Sequence, residues 1–389
     1  MIALGGSFRA FARCFRDTFR RISREKELLI LLVGAMVVLS FFYPLPYLRQ
    51  VLRDLPVVVV DRDHSQLSRQ FTRWLDAAEA TRVAARLDDL RAAEEKVQAG
   101  AAGAVVLIPE HFERDVLRRK PAYVEAYVDA SYMLVRSTAL RGVNAVAATL
   151  STGIEVRRLQ ATGVTFDSAL HRGQPVTFVP WALFNPLGGY GNYVVPAVFI
   201  LLLQHTLLIG IGTLRVAERQ AQGGEREPIW AVLAGKVGAL TLVYLLHAAF
   251  MFAVVFRLYG FPMRASWLET SVFLVPYLAA ATLLGLVIAE LFDRPESSTV
   301  ALAAAAVPAL FLSGMSFPAE AQAPWAQALA LLIPSTFGIR GFLRMAEMGA
   351  NFREALRPWA ALWLQAAVYG AFAGLLLWWR RSRQPAREP

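Results

Sequence analysis

The chain is poor in the residues that build reactive or cross-linked sites. Of 389 residues, one is cysteine, Cys14, and five are histidine. A single thiol excludes an intramolecular disulfide and with it a disulfide framework. A phosphate-cradling Gly-x-x-x-x-Gly-Lys-Ser/Thr loop is missing: the only Gly-Lys pair, Gly235-Lys236, is followed by Val237 and has Trp230 where the first glycine should stand. ATP hydrolysis by such a loop is therefore excluded. No Ser-His-Asp or Gly-x-Ser-x-Gly pattern occurs, and Gly188-Gly189-Tyr190-Gly191 lacks the preceding strand that a phosphate loop needs. Asp61, Asp63, His64 and Asp129 form the only cluster with metal-ligand chemistry, and Asp and His placed after strands are expected to cap helices or face water instead. The expectation is a chain that is not an enzyme and binds no cofactor itself.

Charge is also scarce, 18% of residues against 56% hydrophobic, which lies on the membrane side of soluble composition. The apolar residues are gathered into runs. Five of them, spanning about 192–214, 237–256, 271–292, 299–317 and 358–379, each approach the ~20 residues that a helix needs to cross ~30 Å of hydrocarbon. They are too long and too uniformly apolar for faces of soluble amphipathic helices. One further span, 28–48, precedes them, and a polar region of 135 residues, 49–183, lies between. The expected fold is thus an α-helical membrane protein with six transmembrane helices and an inserted α/β extracytoplasmic domain. Its parts are a cytoplasmic amphipathic helix (1–27), the first span (28–48), the inserted domain (49–183), a five-helix membrane domain (184–379) and a basic tail (380–389).

Net charge is +10, and basic residues cluster before the first span (Arg9 to Lys26) and after the last (Arg380 to Arg387). With six spans, Lys and Arg number sixteen on the cytoplasmic side against six in the short outer loops, which obeys the positive-inside rule. Both termini are expected in the cytoplasm of a bacterial cell, at its inner membrane. Anionic lipid, not nucleic acid, is the partner this charge distribution suggests.

Phe8, Phe11, Phe15, Phe19 and Ile22 recur at steps of three and four, with Arg9, Arg13, Arg16, Arg20 and Arg24 on another face, predicting a helix in the membrane interface. A cleaved targeting peptide is the alternative; Asp17, Glu25 and Glu27 count against it. Further on, the pattern alternates: strand Leu55 to Val60, helix Ser65 to Ala78, strand Arg82 to Leu87, helix Leu90 to Gln98, strand Gly103 to Ile108, helix Pro109 to Arg118, strand Ala122 to Val128, then a long helix Ser137 to Leu159. This order argues for a small α/β domain. Within the spans, Gln204, His205 and His247 are candidates for a substrate path, since buried polar groups in a membrane are costly; helix-to-helix hydrogen bonding accounts for them, and for Gln365, equally well. Glu290 is expected to reach the headgroups beside Asp293 and Arg294.

Several motifs, taken together, resemble the ABC-2 type permeases, the membrane subunits of bacterial ATP-driven exporters, in the subgroup with a large outer domain after the first span. They are Leu55-Pro56-Val57-Val58-Val59-Val60-Asp61 followed by Ser65, then Ala104 to Pro109 with Phe112, and Tyr127-Val128-Asp129-Ala130-Ser131. The loop Glu218 to Glu225 running to Gly235-Lys236 follows, and then Leu312-Ser313-Gly314-Met315-Ser316-Phe317-Pro318 with Pro324-Trp325 and Pro334-Ser335-Thr336. The loop departs from the family pattern after Gly224, with Glu225-Arg226-Glu227-Pro228. The resemblance implies export by alternating access, ATP consumed by a separate ABC ATPase subunit, and a second permease copy or paralogue; it leaves a periplasmic adaptor open. It also makes the loop holding Glu218, Arg219, Gly223, Gly224, Glu225, Arg226 and Glu227 the expected ATPase-coupling contact. The alternative function is a membrane-anchored sensor or receptor with an outer ligand-binding domain, for which five further spans are excessive.

Overall fold

The Arg and Phe spacing at the N-terminus closes into helix α1 (Ile2–Arg24), and the first apolar run follows as α2 (Lys26–Tyr47), which carries a π-helical turn over Ile30–Gly34. Phe8 and Phe19 of α1 are exposed, as suits a helix lying in a lipid interface. The computed structural model describes residues 2–173, 183–186, 188–220, 227–292 and 295–383. It divides into two compact units, residues 51–181 and residues 1–50 with 182–389.

The first unit is built on β1 (Leu55–Asp61), whose four consecutive valines suit a pleated strand packed on both faces. Alternate side chains point to opposite faces. Val57 and Val59 enter one core with Phe71, Leu75, Phe112 and Val143, while Val58 and Val60 enter another with Ala93, Val105 and Leu107. Between them the chain forms α3 (Gln66–Ala77), β2 (Thr81–Leu87), α4 (Leu90–Gln98), β3 (Ala104–Ile108), α5 (Phe112–Leu117), β4 (Glu125–Val128), α6 (Met133–Ala161) and α7 (Phe166–Gly173). The sheet order is β2-β1-β3-β4, parallel except for the antiparallel β3–β4 pair. The predicted alternation is present element by element. The long helix begins earlier than expected, at Met133, and α7 lies in what read as a connecting stretch.

The second unit holds the spans: α8 (Tyr190–Gln220), α9 (Ile229–Tyr259), α10 (Trp267–Leu291) and α15 (Phe352–Arg383), with α2, are five helices long and apolar enough to cross a membrane. Two short helices, α13 (Pro324–Ala330) and α14 (Pro334–Ala346), bent by 83°, count as a sixth if taken as one span. The segment 299–317, read from the sequence as a span, forms two shorter helices, α11 (Pro295–Ala304) and α12 (Ala306–Leu312). Pro308 has no N–H to bond the Ala304 carbonyl, and its ring crowds that carbonyl, so the helix breaks at Ala305. Gly314, at φ 82°, then ends it.

The C-terminal ends of α10 and α15 meet, because Arg380 bonds the Glu290 side chain. The chain from 292 to 352 must therefore traverse the bundle once, and 18 residues from Pro295 to Leu312 would supply about 27 Å of helix if continuous. Close approach is set by small residues: a Cβ at Gly210 of α8 would collide with Leu32 of α2, and one at Gly235 of α9 would lie 2.5 Å from Cβ of Cys14 in α1.

An excised fragment 51–181 should fold alone, since its two cores are internal to it. Circular dichroism is expected to show mixed α/β content and one cooperative melt; a coil-like spectrum at both low and high concentration would refute its independence.

Candidate functional site

Polar chemistry in the spans concentrates at two places. The first is the end of the bundle where the basic segments gather. Glu290, near the C-terminus of α10, is buried at 3% exposure and receives Arg215 of α8 and Arg380 of α15, the latter at 3.3 Å. Glu218, one turn after Arg215, receives both Arg215 and Lys236 of α9, the lysine at 2.8 Å. Arg380 also donates to the main-chain oxygen of Glu290 at 2.7 Å. Arg13 of α1 pairs with Glu227 at 2.8 Å, whose backbone oxygen accepts from Arg381 at 2.9 Å. Ends of α8, α9, α10 and α15 are thus tied together, with α1 strapped across them through Cys14 and Phe15 on Gly235.

Charges out of water are tolerated only when paired and hydrogen-bonded, and here each buried carboxylate faces two cations. Burial alone would raise the Glu218 carboxyl, but Lys236 and Arg215 outweigh it and hold it below its ordinary value. The expectation that Glu290 reaches lipid headgroups is therefore corrected: two cations, one from 75 residues earlier and one from 90 residues later in the chain, draw it inward.

The second place is the break between α13 and α14, which leaves main-chain groups without helical partners at Leu331 to Ser335. Such backbone is stable within a membrane only where protein satisfies it. Gln204 of α8 accepts from Ser335 N–H at 2.8 Å, Gln365 of α15 donates to Leu331 O at 2.7 Å, and the Tyr369 hydroxyl donates to Leu332 O. Gln204 and Gln365 lie near the middle of their helices, so the bend is held at mid-depth. His205 donates from Nδ1 to Leu201 O at 2.8 Å, and His247 of α9 donates from Nε2 to Leu32 O at 2.8 Å, beside the π-turn of α2. The three path candidates are buried at 1%, 9% and 8% exposure, and their hydrogen bonds go to three different places: α14, α8 itself and α2.

The sequence matches the family described as ABC-2 family transporter protein over residues 26–375. The chain belongs to the ABC-2 transporter family. No curated protein matches it. As a member, this permease is a multi-pass membrane subunit of a transport system that in general works with an ABC ATPase, and such subunits are generally not themselves enzymes.

Of the permease's expected coupling residues, Glu218 lies inside the buried cluster and Glu227 on its rim. Arg219 falls within α8. Gly223, Gly224, Glu225 and Arg226 lie outside the described residues, as do Asp293, Arg294 and residues 384–389 of the tail. Sequence reading missed Arg215, Lys236 and Arg380 as partners because they count equally well as topology-setting charges; the signal was an acid, Glu290, inside an apolar run. In the other unit, Asp61 accepts from the N–H groups of Asp63 and His64 and from the Ser68 hydroxyl, and Asp63 accepts from Glu113 N–H. They are turn and helix caps. Asp129 is held below its usual range by bonds from the Ser131 hydroxyl and N–H. Among the described residues no group of three potential metal ligands occurs.

Replacing Glu290 by alanine takes the shared carboxylate from buried Arg215 and part-buried Arg380, and a loss of about 3 kcal/mol is expected, against no more than about 1 kcal/mol for Arg13→Ala at the exposed pair. Denaturant unfolding of the detergent-solubilised permease measures both; equal losses would refute the ranking.

Proposed function

We propose that this chain is the permease subunit of an ABC exporter, moving a substrate out of the cytoplasm or the inner membrane by alternating access under the drive of a separate ATPase subunit. Two permeases, identical or paralogous, make the working unit. Both termini and residues 215–236 face the cytoplasm of a bacterial cell, and residues 49–183 lie outside. The observation that carries this reading is the buried charge cluster. A transporter without its own phosphate loop needs a stiff contact through which a partner's movement reaches the spans, and the cluster joins four span ends to α1 next to the loop between Arg215 and Lys236. A push on that loop then moves α8, α9, α10 and α15 as one body. Gln204 supports the path by anchoring the bent pair, so that displacement of α8 displaces the bend with it. His247 supports it by tying α9 to α2, while His205 bonds within α8 itself. A sensor with an outer ligand-binding domain would need no such tie between span ends.

In this scheme Glu218 is the inner anchor of the loop, and Glu225 and Arg226 are the residues expected to meet the ATPase. Glu225→Arg with Arg226→Glu should leave insertion and abundance intact while lowering transport and weakening ATPase copurification. Glu218→Arg, in contrast, should lower abundance itself. Wild-type transport with unchanged ATPase binding in the double variant would refute the loop as the contact.

Topology is tested by single cysteines in a Cys14→Ser background. A cysteine at Asp88 should react only with reagent added outside; reaction only from the cytoplasmic side would overturn the six-crossing arrangement.

A further inference from the structure

At the end of the bundle opposite the charge cluster lies a carboxylate with a different status. Glu347 closes the C-terminus of α14. Its Oε1 is buried and has no hydrogen-bond partner among the described residues, and no ion pair there includes it. Glu218 and Glu290 each hold two cations, whereas no described cation forms an ion pair with Glu347. Burial therefore pushes its carboxyl up to about 7.

The surroundings show what would complement it. Helix α14 runs antiparallel to α8. Ser335 meets Gln204, a Cβ at Gly338 would lie 3.3 Å from Ile200, and at the outer end Glu347 comes near enough to Tyr193 to act on its phenol electrostatically. Tyr193 begins a row of rings, with centroids 6.4 Å from Tyr193 to Tyr190 and 5.8 Å from Tyr190 to Tyr47. Tyr43 continues it, 5.6 Å from Tyr47. The row is braced: Tyr193 donates to Met315 O, and the Tyr190 N–H donates to Gln50 O at 2.8 Å. Tyr190 and Tyr193 keep 46% and 47% of their surface open. Aromatic faces beside an unneutralised carboxylate attract a positive charge carried on an apolar body. A hydrated divalent metal, which takes six or more oxygen ligands, is poorly served by one carboxylate. Two other charged or titratable residues lie close by: Tyr193, and Arg264, whose main-chain N–H donates to Ala346 O at 2.8 Å and whose Cδ would lie 3.4 Å from a Cβ at Gly349.

We propose that Glu347 and the Tyr47, Tyr190 and Tyr193 rings form a binding site for an organic monocation bearing apolar or aromatic groups. This names a substrate class for the permease reading and rests on it for the site's role as a release point, while binding itself is independent of any ATPase.

The test uses the full chain purified in detergent and a pair of probes of equal shape and opposite charge, tetraphenylphosphonium and tetraphenylborate, titrated by calorimetry at pH 6 and pH 8. Wild type should bind the cation up to about tenfold more tightly at pH 8 than at pH 6, because the ionised fraction of Glu347 rises about tenfold across that interval. Glu347→Gln should abolish that difference and weaken cation binding at pH 8 about tenfold, with tetraphenylborate binding no weaker. Glu347→Asp should retain most of the cation affinity, and Tyr193→Leu should weaken it. Equal cation affinity at the two pH values in wild type would overturn the proposal without any variant needing to fold. So would a Glu347→Gln protein with wild-type melting and wild-type affinity. Either result leaves the coupling-loop test of the permease reading untouched.

Discussion

The burial of Glu290 between Arg215 and Arg380 is the interaction on which the membrane unit's arrangement depends. A carboxylate at 3% exposure carries a desolvation cost that only close cations offset, and those cations sit at the ends of two other helices. The charge therefore sets which ends meet. Once α8, α10 and α15 finish at one level, the chain between α10 and α15 has to cross the length of the bundle once. Glu218 extends the same logic to α9 through Lys236. A hydrophobic contact could slide by a turn at small cost. A hydrogen-bonded ion pair out of water has one geometry.

That single crossing is interrupted, and the interruptions are chemically provided for. Pro308 breaks α11 from α12, and Pro334 with extended Ile333 begins α14 after the bend. Each break exposes backbone groups that lipid cannot satisfy. Gln204, Gln365 and Tyr369 supply the missing partners at the bend. Polar residues at mid-span thus act here as part of the backbone's bonding, which explains why they are spread over two helices. A segment held by three side-chain bonds has few alternatives, but two discrete ones would be enough for a gate.

Much of the smaller unit was legible along the chain. The four valines of β1 and the run Ala104–Ile108 are continuous apolar stretches because both faces of the sheet are covered, and they end at the residues where turn chemistry begins, Asp61 and Pro109. The helix of Leu90–Gln98 was read to the residue because Asp89 caps it and Gly100 follows at φ 72°. The early start of α6 was missed since Tyr132 offers no capping side chain. In the membrane unit, composition alone gave five long helices, but it could not separate one interrupted helix from a crossing, because hydropathy does not register what Pro308 does to the Ala304 carbonyl.

The local variables, then, were settled by the sequence itself: which segments are apolar enough to cross a membrane, which strands are buried on both faces, which helix is amphipathic, and that a phosphate loop is missing. These follow from runs and periods within about 20 residues, the length over which a helix or strand presents one environment. Only the tertiary structure decided the fates of the ionisable groups. Glu290 turns inward because Arg215 and Arg380, remote in the chain, arrive beside it, whereas Glu347, an equally ordinary glutamate in sequence, is half-buried with no ion pair to it among the described residues. Whether a carboxylate is a tie or an open site depends on what converges on it, and convergence is a property of the fold.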